Sequence, residues 1–124
     1  MWSIEQTEVF EAWYSGTLDD VDRENVLASL LLLREDGPML RRPHADTVSG
    51  SDYPNMKELR IQSQGRPLRA FYAFDPRRHG ILLCAGDKGG RDKRFYKEMI
   101  ALADKEYARH LATLEQGGRH DTSS

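Results

Sequence analysis

The sequence predicts an α+β domain, in which a small antiparallel β-sheet packs against an N-terminal helical hairpin and a C-terminal helix. Three observations carry this prediction: an apolar helical repeat over residues 18–35, three strand-like segments over residues 57–86, and a second helical repeat over residues 92–114. The chain has 124 residues, which suits one domain that buries its own core. We expect a single domain over residues 1–115 and a polar, disordered tail over residues 116–124.

The N-terminal segment predicts a short strand and two helices. Trp2–Glu5 is the candidate strand, and Thr7–Tyr14 has helical character. Leu18–Glu35 follows as the clearer helix, because Thr17 or Asp19 can cap its first turn and the segment Glu35–Pro38 places Gly and Pro at its end. Its apolar residues recur at helical spacing: Val21, Val26, Leu27, Leu30, Leu31 and Leu33.

Leu40–Asn55 reads as a loop, since it combines Pro43, Gly50 and Pro54 with several Ser, Asp and Thr residues. A connection of this length with no regular structure is often functional.

Two alternating segments, Lys57–Gln62 and Pro67–Phe74, predict a β-hairpin about Gln64-Gly65. A two-residue turn at that point places Arg60 directly opposite Arg69. Ile81–Gly86 is apolar on both faces and is therefore the expected central strand. The final helix is predicted over Asp92–Leu114 from its apolar repeat.

The net charge of −2 conceals a strong asymmetry along the chain. Residues 1–56 contain four basic and eleven acidic residues, whereas residues 57–109 contain thirteen basic and seven acidic residues. Such an asymmetry between the halves of a chain indicates an anionic partner, nucleic acid in particular.

The opposed arginines are the main candidate site residues. Like charges directly opposite each other on a sheet are destabilising. An anion bound between Arg60 and Arg69 would offset this repulsion, whereas a purely structural sheet gains nothing from the pair. The alternative is that both arginines are solvated or paired with Glu58. Phe71 shares the predicted face of Arg69 and is either a stacking platform for a base or part of the core edge.

The segment Gly86–Arg94, GDKGGRDKR, gathers further cations between the last strand and the last helix. Its glycines allow backbone N–H groups to turn toward a ligand near a helix start. It lacks the spacing of a phosphate-binding P-loop, and a solvated turn with charged flanks is the competing interpretation.

Several other classes of site are not indicated. No apolar run approaches the length of a membrane span, and the N-terminus does not resemble a secretory signal, so we expect a cytoplasmic protein. Cys84 is the only cysteine and lies in an apolar run, where a small core residue is expected. The four histidines have no metal-ligand spacing, and His44, in the long loop, is not assigned a catalytic role. We expect neither a metal nor a cofactor.

Four segments resemble the RelE/ParE superfamily of bacterial type II toxins, specifically its phage-derived HigB-like branch. They are LLREDGP (Leu32–Pro38), RPHADTVSGSDYPNMKELR (Arg42–Arg60), RAFYAFDPRRHGILLCAGDK (Arg69–Lys88) and RFYKEMIALADKEYARHL (Arg94–Leu111). They occur in the order found in that family and cover most of the chain from residue 27 onward.

The resemblance implies a RelE-like fold and an mRNA endoribonuclease that acts on ribosome-bound message without a metal, by attack of the ribose 2′-OH. It also implies a neighbouring helix-turn-helix antitoxin, through which any contact with DNA is indirect. Carried onto this chain, the resemblance makes Arg60, Arg69 and Lys88 the catalytic candidates, with Lys88 in phosphate binding or proton transfer. The candidates for RNA contact are Phe71, Arg91, Lys93, Arg94 and Tyr96.

Two other functions are compatible with the same resemblance. A ParE-like member would bind and inhibit DNA gyrase without nuclease activity, although that branch tends to lack the cationic set. The chain would alternatively be a non-toxic phage relic that binds only its antitoxin.

Overall fold

A five-stranded mixed sheet, described here from a computed structural model, separates two layers of helices. The structure describes the backbone of residues 1–123 and the side chains of residues 1–116. In chain order the elements are β1 (Ile4–Gln6), α1 (Glu8–Gly16), α2 (Asp20–Asp36), a 3-10 turn (Gly37–Met39), β2 (Ala45–Thr47), β3 (Lys57–Ser63), β4 (Arg66–Phe74), β5 (Gly80–Asp87) and α3 (Asp92–Ser123). The expected α+β architecture is confirmed.

The strand order across the sheet is β1-β5-β4-β3-β2. The pairs β2–β3, β3–β4 and β4–β5 are antiparallel, as predicted, but β1 pairs with β5 in parallel. The sheet is therefore mixed rather than wholly antiparallel. Helix α1 and helix α2 separate β1 from the later strands along the chain, and this long crossover allows the parallel alignment.

Local chemistry fixes the ends of the N-terminal helices. The Thr7 side chain accepts a hydrogen bond from the Phe10 amide at the start of α1, and Asp19 forms a capping box with Asp22 at the start of α2. Gly37 ends α2 with a φ of +58°, and a Cβ there would lie 2.5 Å from the Trp2 indole. Only glycine meets both requirements at that position.

The segment predicted as a loop contains one strand. Ala45–Thr47 pairs with β3 and becomes the edge of the sheet, so the prediction of a wholly irregular connection over residues 40–55 was wrong. Three residues carry too little alternation to be read as a strand, and tertiary pairing supplies the hydrogen bonds that define it.

Two hydrophobic clusters lie on opposite faces of the sheet. On one face α1 and α2 cover Leu59, Leu68 and Tyr72, and on the other α3 covers a second cluster that includes Leu83. Helix α3 runs beyond its predicted end at Leu114. The predicted disordered tail, residues 116–124, falls almost wholly outside the residues whose side chains are described, and it stays a prediction.

Candidate nucleic-acid interface

Arg60 on β3 and Arg69 on β4 are directly opposite each other in the hairpin, as the sequence predicted. The turn between them has positive φ at both Gln64 and Gly65, the conformation of a tight two-residue hairpin loop. Gly86 on β5 completes the same row across the sheet. Side chains in one row project from one face, so the hairpin register alone brings the two guanidinium groups together.

Glu58 lies between the two arginines and is nearly enclosed, with its side chain 6% exposed. One carboxylate oxygen lies 3.2 Å from Arg69 Nε and the other 3.8 Å from a terminal nitrogen of Arg60. The Tyr96 hydroxyl donates a 2.6 Å hydrogen bond to the same carboxylate from α3. The pairing with Glu58 therefore offsets the repulsion between the arginines, which is the alternative that the sequence left open.

The same network raises the pKa of Tyr96, first through burial and then through its hydrogen bond to the negative Glu58. Tyr96 thus stays protonated and remains a donor to Glu58 across the neutral range. Through this hydrogen bond the Tyr96 hydroxyl connects the start of α3 to Glu58, and through Glu58 to Arg60 and Arg69.

A second carboxylate holds Arg60 from the sheet edge. Asp46 on β2 is opposite Glu58 in register and lies 3.4 Å from Arg60 and 2.7 Å from Arg42. The hydrogen bonds from Arg42 lower the pKa of Asp46. These three arginines and two carboxylates carry a net charge of +1, so the cluster keeps a positive excess.

Two donors in this cluster are left without acceptors. Arg60 Nε and Arg69 Nε are enclosed and make no hydrogen bond; the Nε–H of Arg69 lies near Glu58 but is not directed at its oxygen. A buried donor without an acceptor costs about 1–3 kcal/mol. The guanidinium pair is therefore arranged at a cost in stability.

A surface groove runs beside the pair where β3 continues beyond its pairing with β2, and it is lined by His44, Arg60 and Arg69 together with residues of α2. His44 is exposed, and its backbone carbonyl accepts a 2.8 Å hydrogen bond from the Arg60 amide. Within the described part of the chain, its imidazole has no hydrogen-bond partner. From the sequence, His44 was the one histidine that could approach the basic face, but it was not expected to be a catalyst, because its position depends on the fold of the long loop.

The structure places Phe71 in the core rather than on the surface. Its side chain is fully buried, with the ring centroids of Phe95 and Tyr96 about 6 Å away. Of the two sequence interpretations, the core position is the one observed. Phe71 supports the site from beneath and is not available to stack on a base.

In the glycine-rich turn, residues 86–91, the Gly89 amide is hydrogen-bonded within the turn itself. Asp87 accepts a 2.9 Å hydrogen bond from the Gly89 amide, and the Lys88 amide donates to the Pro67 carbonyl. The Lys88 side chain lies 3.4 Å from Asp92 and is 21% exposed. This turn brings Lys88 beside the strand that carries Arg69, while the Gly89 amide is committed to Asp87 and is not free for a phosphate.

The remaining cations form an exposed rim. Arg91, Lys93 and Arg94 are exposed at the start of α3, and Arg94 pairs with Glu98 one turn later at 3.0 Å. Lys93 shares a small groove with Glu58 and Tyr96. None of the three forms an ion pair with the carboxylates of the arginine cluster in the described residues.

The described residues contain neither a metal-ligand cluster nor a helix suited to a membrane. No three or more His, Cys, Asp or Glu side chains come together in a way that could hold a metal ion. No helix combines the length and the apolar character that a membrane crossing requires.

Comparison with known proteins decides the family. The model of the family described as "Phage derived protein Gp49-like" matches residues 15–108. The chain belongs to this Gp49-like family. The match covers every element from the end of α1 to the middle of α3, and therefore the whole arginine cluster.

Two curated proteins of Mycobacterium tuberculosis (strain H37Rv) are similar to this Gp49-like chain. One, named "Putative toxin HigB2", is 49% identical over 109 residues, which are 87% of this chain and 54% of that protein. The other, named "Putative toxin HigB3", is 41% identical over 108 residues, or 87% of this chain and 92% of that protein. The chain thus spans about half of the first relative and most of the second, which supports a HigB-like member. No solved structure matches the chain significantly.

Proposed function

We propose that this Gp49-like protein is the toxin of a type II toxin–antitoxin module and that it cleaves mRNA on the ribosome without a metal. The observation that carries the proposal is the pair of guanidinium groups, Arg60 and Arg69, opposed across β3 and β4 at an open groove. The names of its relatives support the toxin assignment. A cognate helix-turn-helix antitoxin is the expected partner, and the cytoplasm the expected location.

The arginine pair has the chemistry that a phosphodiester needs. A guanidinium group can donate to phosphate oxygens. Arg69 Nη1 already donates to the Leu68 carbonyl and Arg60 Nη2 to Asp46, so Arg69 Nη2 and Arg60 Nη1 are the terminal nitrogens that we assign to phosphate contact. As the ribose 2′-oxygen bonds to phosphorus, the bond from phosphorus to the 5′-oxygen breaks, and the leaving 5′-oxygen takes up a proton from solvent, so that the products are a 2′,3′-cyclic phosphate and a 5′-hydroxyl. Negative charge grows on the non-bridging oxygens during this step, and donors already held by Glu58 and Asp46 stabilise it without reorganising. We assign Glu58 to positioning, because it is enclosed, forms ion pairs with Arg60 and Arg69, and accepts a hydrogen bond from Tyr96.

His44 is the group that we assign to proton transfer from the 2′-OH. It lines the same groove as both arginines and is exposed. An imidazole is the side chain best suited to accept a proton near neutral pH. This assignment supplies the base that the sequence did not identify.

The outer cations complete the RNA path. Lys88 lies next to β4 and is assigned to phosphate contact, and the exposed rim formed by Arg91, Lys93 and Arg94 is assigned to contacts with the flanking backbone. Tyr96 borders the small groove beside Glu58. Binding that depends on such phosphate contacts weakens as salt rises.

Mapping of new 5′ ends in cellular mRNA after brief induced expression tests the proposal. The unaltered protein should generate ends within coding regions, and Arg69→Ala should abolish them. Arg34→Ala is the matched control, since Arg34 is an exposed arginine on α2 and its loss should leave the cleavage pattern unchanged. Circular dichroism of each purified variant checks that the fold is retained.

Other outcomes would select other functions. Growth arrest with intact mRNA and trapped gyrase–DNA breaks would replace the nuclease by a ParE-like gyrase inhibitor. Intact mRNA without arrest would leave an antitoxin-binding relic.

The role of His44 has a separate test. His44→Ala should slow cleavage by about 10²–10⁴-fold, the usual contribution of a general base, and should leave the melting temperature unchanged because the side chain is exposed. Cleavage at the normal rate in this variant would remove His44 from the mechanism.

A further inference from the structure

A second cleft lies on α3 away from the arginine cluster. It is formed between β1 with the start of α1 on one side and the second half of α3 on the other, and its volume is about 410 Å³. Its residues on α3 begin at Glu106, ten positions beyond Tyr96. At a rise of 1.5 Å per residue this is about 15 Å along the helix, so a ligand here would leave the RNA groove open.

Glu106 is the unusual residue of this cleft. It is only 6% exposed, yet its carboxylate makes no hydrogen bond or ion pair with any described residue. Its oxygens are not among the enclosed atoms without a partner, so they keep contact with solvent, and Glu106 lines the cleft. The carboxylate of Glu106 is therefore accessible from the cleft and is not engaged by any described side chain.

The other charges around the cleft are mostly negative or already engaged. Glu5 holds Arg77 and His79, while Glu8 is exposed at the rim. His110 reaches past the cleft to the buried Asp75 at 2.9 Å. Arg109 is the one exposed cation lining it, and it forms no ion pair with Glu106 among the described residues.

The apolar part of the lining suits a particular kind of cation. Val9 and Ile81 line the same space as Glu106. A long basic side chain can lay its methylene stem along apolar surface while its charged end meets a carboxylate. A guanidinium group additionally offers several donors in a plane, which matches a carboxylate better than an ammonium does.

We propose that this cleft binds an arginine side chain of a protein partner, with Glu106 as the carboxylate that receives the guanidinium. Glu8 at the rim adds negative potential toward the approaching cation. The assignment does not depend on ribonuclease activity.

Titration of the isotope-labelled full chain with the capped tripeptide acetyl-Gly-Arg-Gly-amide, followed by amide NMR shifts, tests this proposal. Saturable shifts should concentrate in residues 5–9 and 106–113. Glu106→Gln should weaken binding by at least about tenfold, since a charged hydrogen bond is lost. The isosteric peptide with citrulline in place of arginine should not bind.

Two further variants serve as controls for Glu106→Gln. Glu8→Gln alters an exposed residue at the first turn of α1 and should weaken binding by a smaller factor. Glu115→Gln removes an exposed acid elsewhere on α3 and should have no effect. Glu106→Gln should melt no lower than the unaltered chain, because an unpartnered buried charge is removed.

Three results would overturn the proposal. Equal affinity of Glu106→Gln and the unaltered chain would exclude Glu106 as the receptor. Shifts scattered over all acidic surfaces would indicate non-specific attraction. Tighter binding of spermidine than of the tripeptide would point to a small polycation instead of a protein side chain.

Discussion

Glu58 and Arg69 should be strongly coupled in their effects on stability. Their charged atoms lie 3.2 Å apart, with side-chain exposures of 6% and 12%. At an effective dielectric constant of about 20 the attraction at this distance is roughly 5 kcal/mol, and desolvation cancels part of it. Glu58→Gln leaves Arg69 facing Arg60 without a neutralising charge and should cost about 3 kcal/mol.

The double variant should recover part of that loss. Arg69→Met alone should cost about 1–2 kcal/mol, because Glu58 keeps its contacts with Arg60 and Tyr96. The double variant should then be less destabilised than the sum of the single variants by about 2 kcal/mol. Urea unfolding followed by circular dichroism at pH 7 measures all four free energies of unfolding.

An exposed ion pair of similar length is the matched control. Arg94 and Glu98 lie 3.0 Å apart, but their side chains are 78% and 63% exposed, so their coupling should be at most about 0.5 kcal/mol. A Glu58–Arg69 coupling no larger than that of this control would show that enclosure does not strengthen the ion pair. Raised salt should weaken the control more than the enclosed pair.

Three other properties should follow from the same structure. Burial and the Glu58 hydrogen bond raise the pKa of Tyr96, so Glu58→Gln should lower that pKa. Phenolate absorbance measured against pH gives the Tyr96 pKa, with Tyr96→Phe as the control that lacks its signal. An unchanged Tyr96 titration in Glu58→Gln would contradict the hydrogen bond between the two side chains. Burial acts to raise the pKa of Asp75, but hydrogen bonds from His110 and Arg77 outweigh it and lower the pKa to about 2 from 3.8. The stabilisation that ionised Asp75 contributes is therefore complete above the unfolded pKa and disappears as pH falls toward about 2. Asp75→Asn should lower the free energy of unfolding at pH 7 and make that free energy fall less steeply between pH 4 and pH 2. Urea unfolding at each pH measures both effects. Burial, with a smaller contribution from Glu106, raises the pKa of Cys84 to about 12. At pH 8 a disulfide reagent should therefore react with Cys84 no faster than the chain unfolds. Rapid labelling of Cys84 in the folded chain would contradict this prediction.

The arginine pair was predictable because hairpin register is a local property. Two alternating segments and a Gln-Gly turn determine which residues are opposite each other, and Arg60 and Arg69 follow from counting. The bounds of α2 were likewise close to the prediction, since the capping residue and the terminal Gly-Pro are adjacent to the repeat that they limit.

The partners of the arginines were not predictable in the same way. Asp46 and His44 reach the pair only because residues 45–47 return to the sheet as β2, and no alternation in the sequence marks that return. Glu58 is in the sequence two residues from Arg60, but its burial depends on α3 covering that face and on the Tyr96 hydroxyl.

By itself the sequence determined the α+β class, the hairpin register and the concentration of positive charge in residues 57–109, because each depends on neighbours along the chain. The tertiary structure decided that Phe71 is core, that β1 joins the sheet in parallel, and that Glu58 and Asp46 hold the arginines. It also decided that Glu106 is buried without a partner. These outcomes depend on which faces of helices and strands pack together across long sequence separations. The spacing of residue types along the chain does not determine that packing.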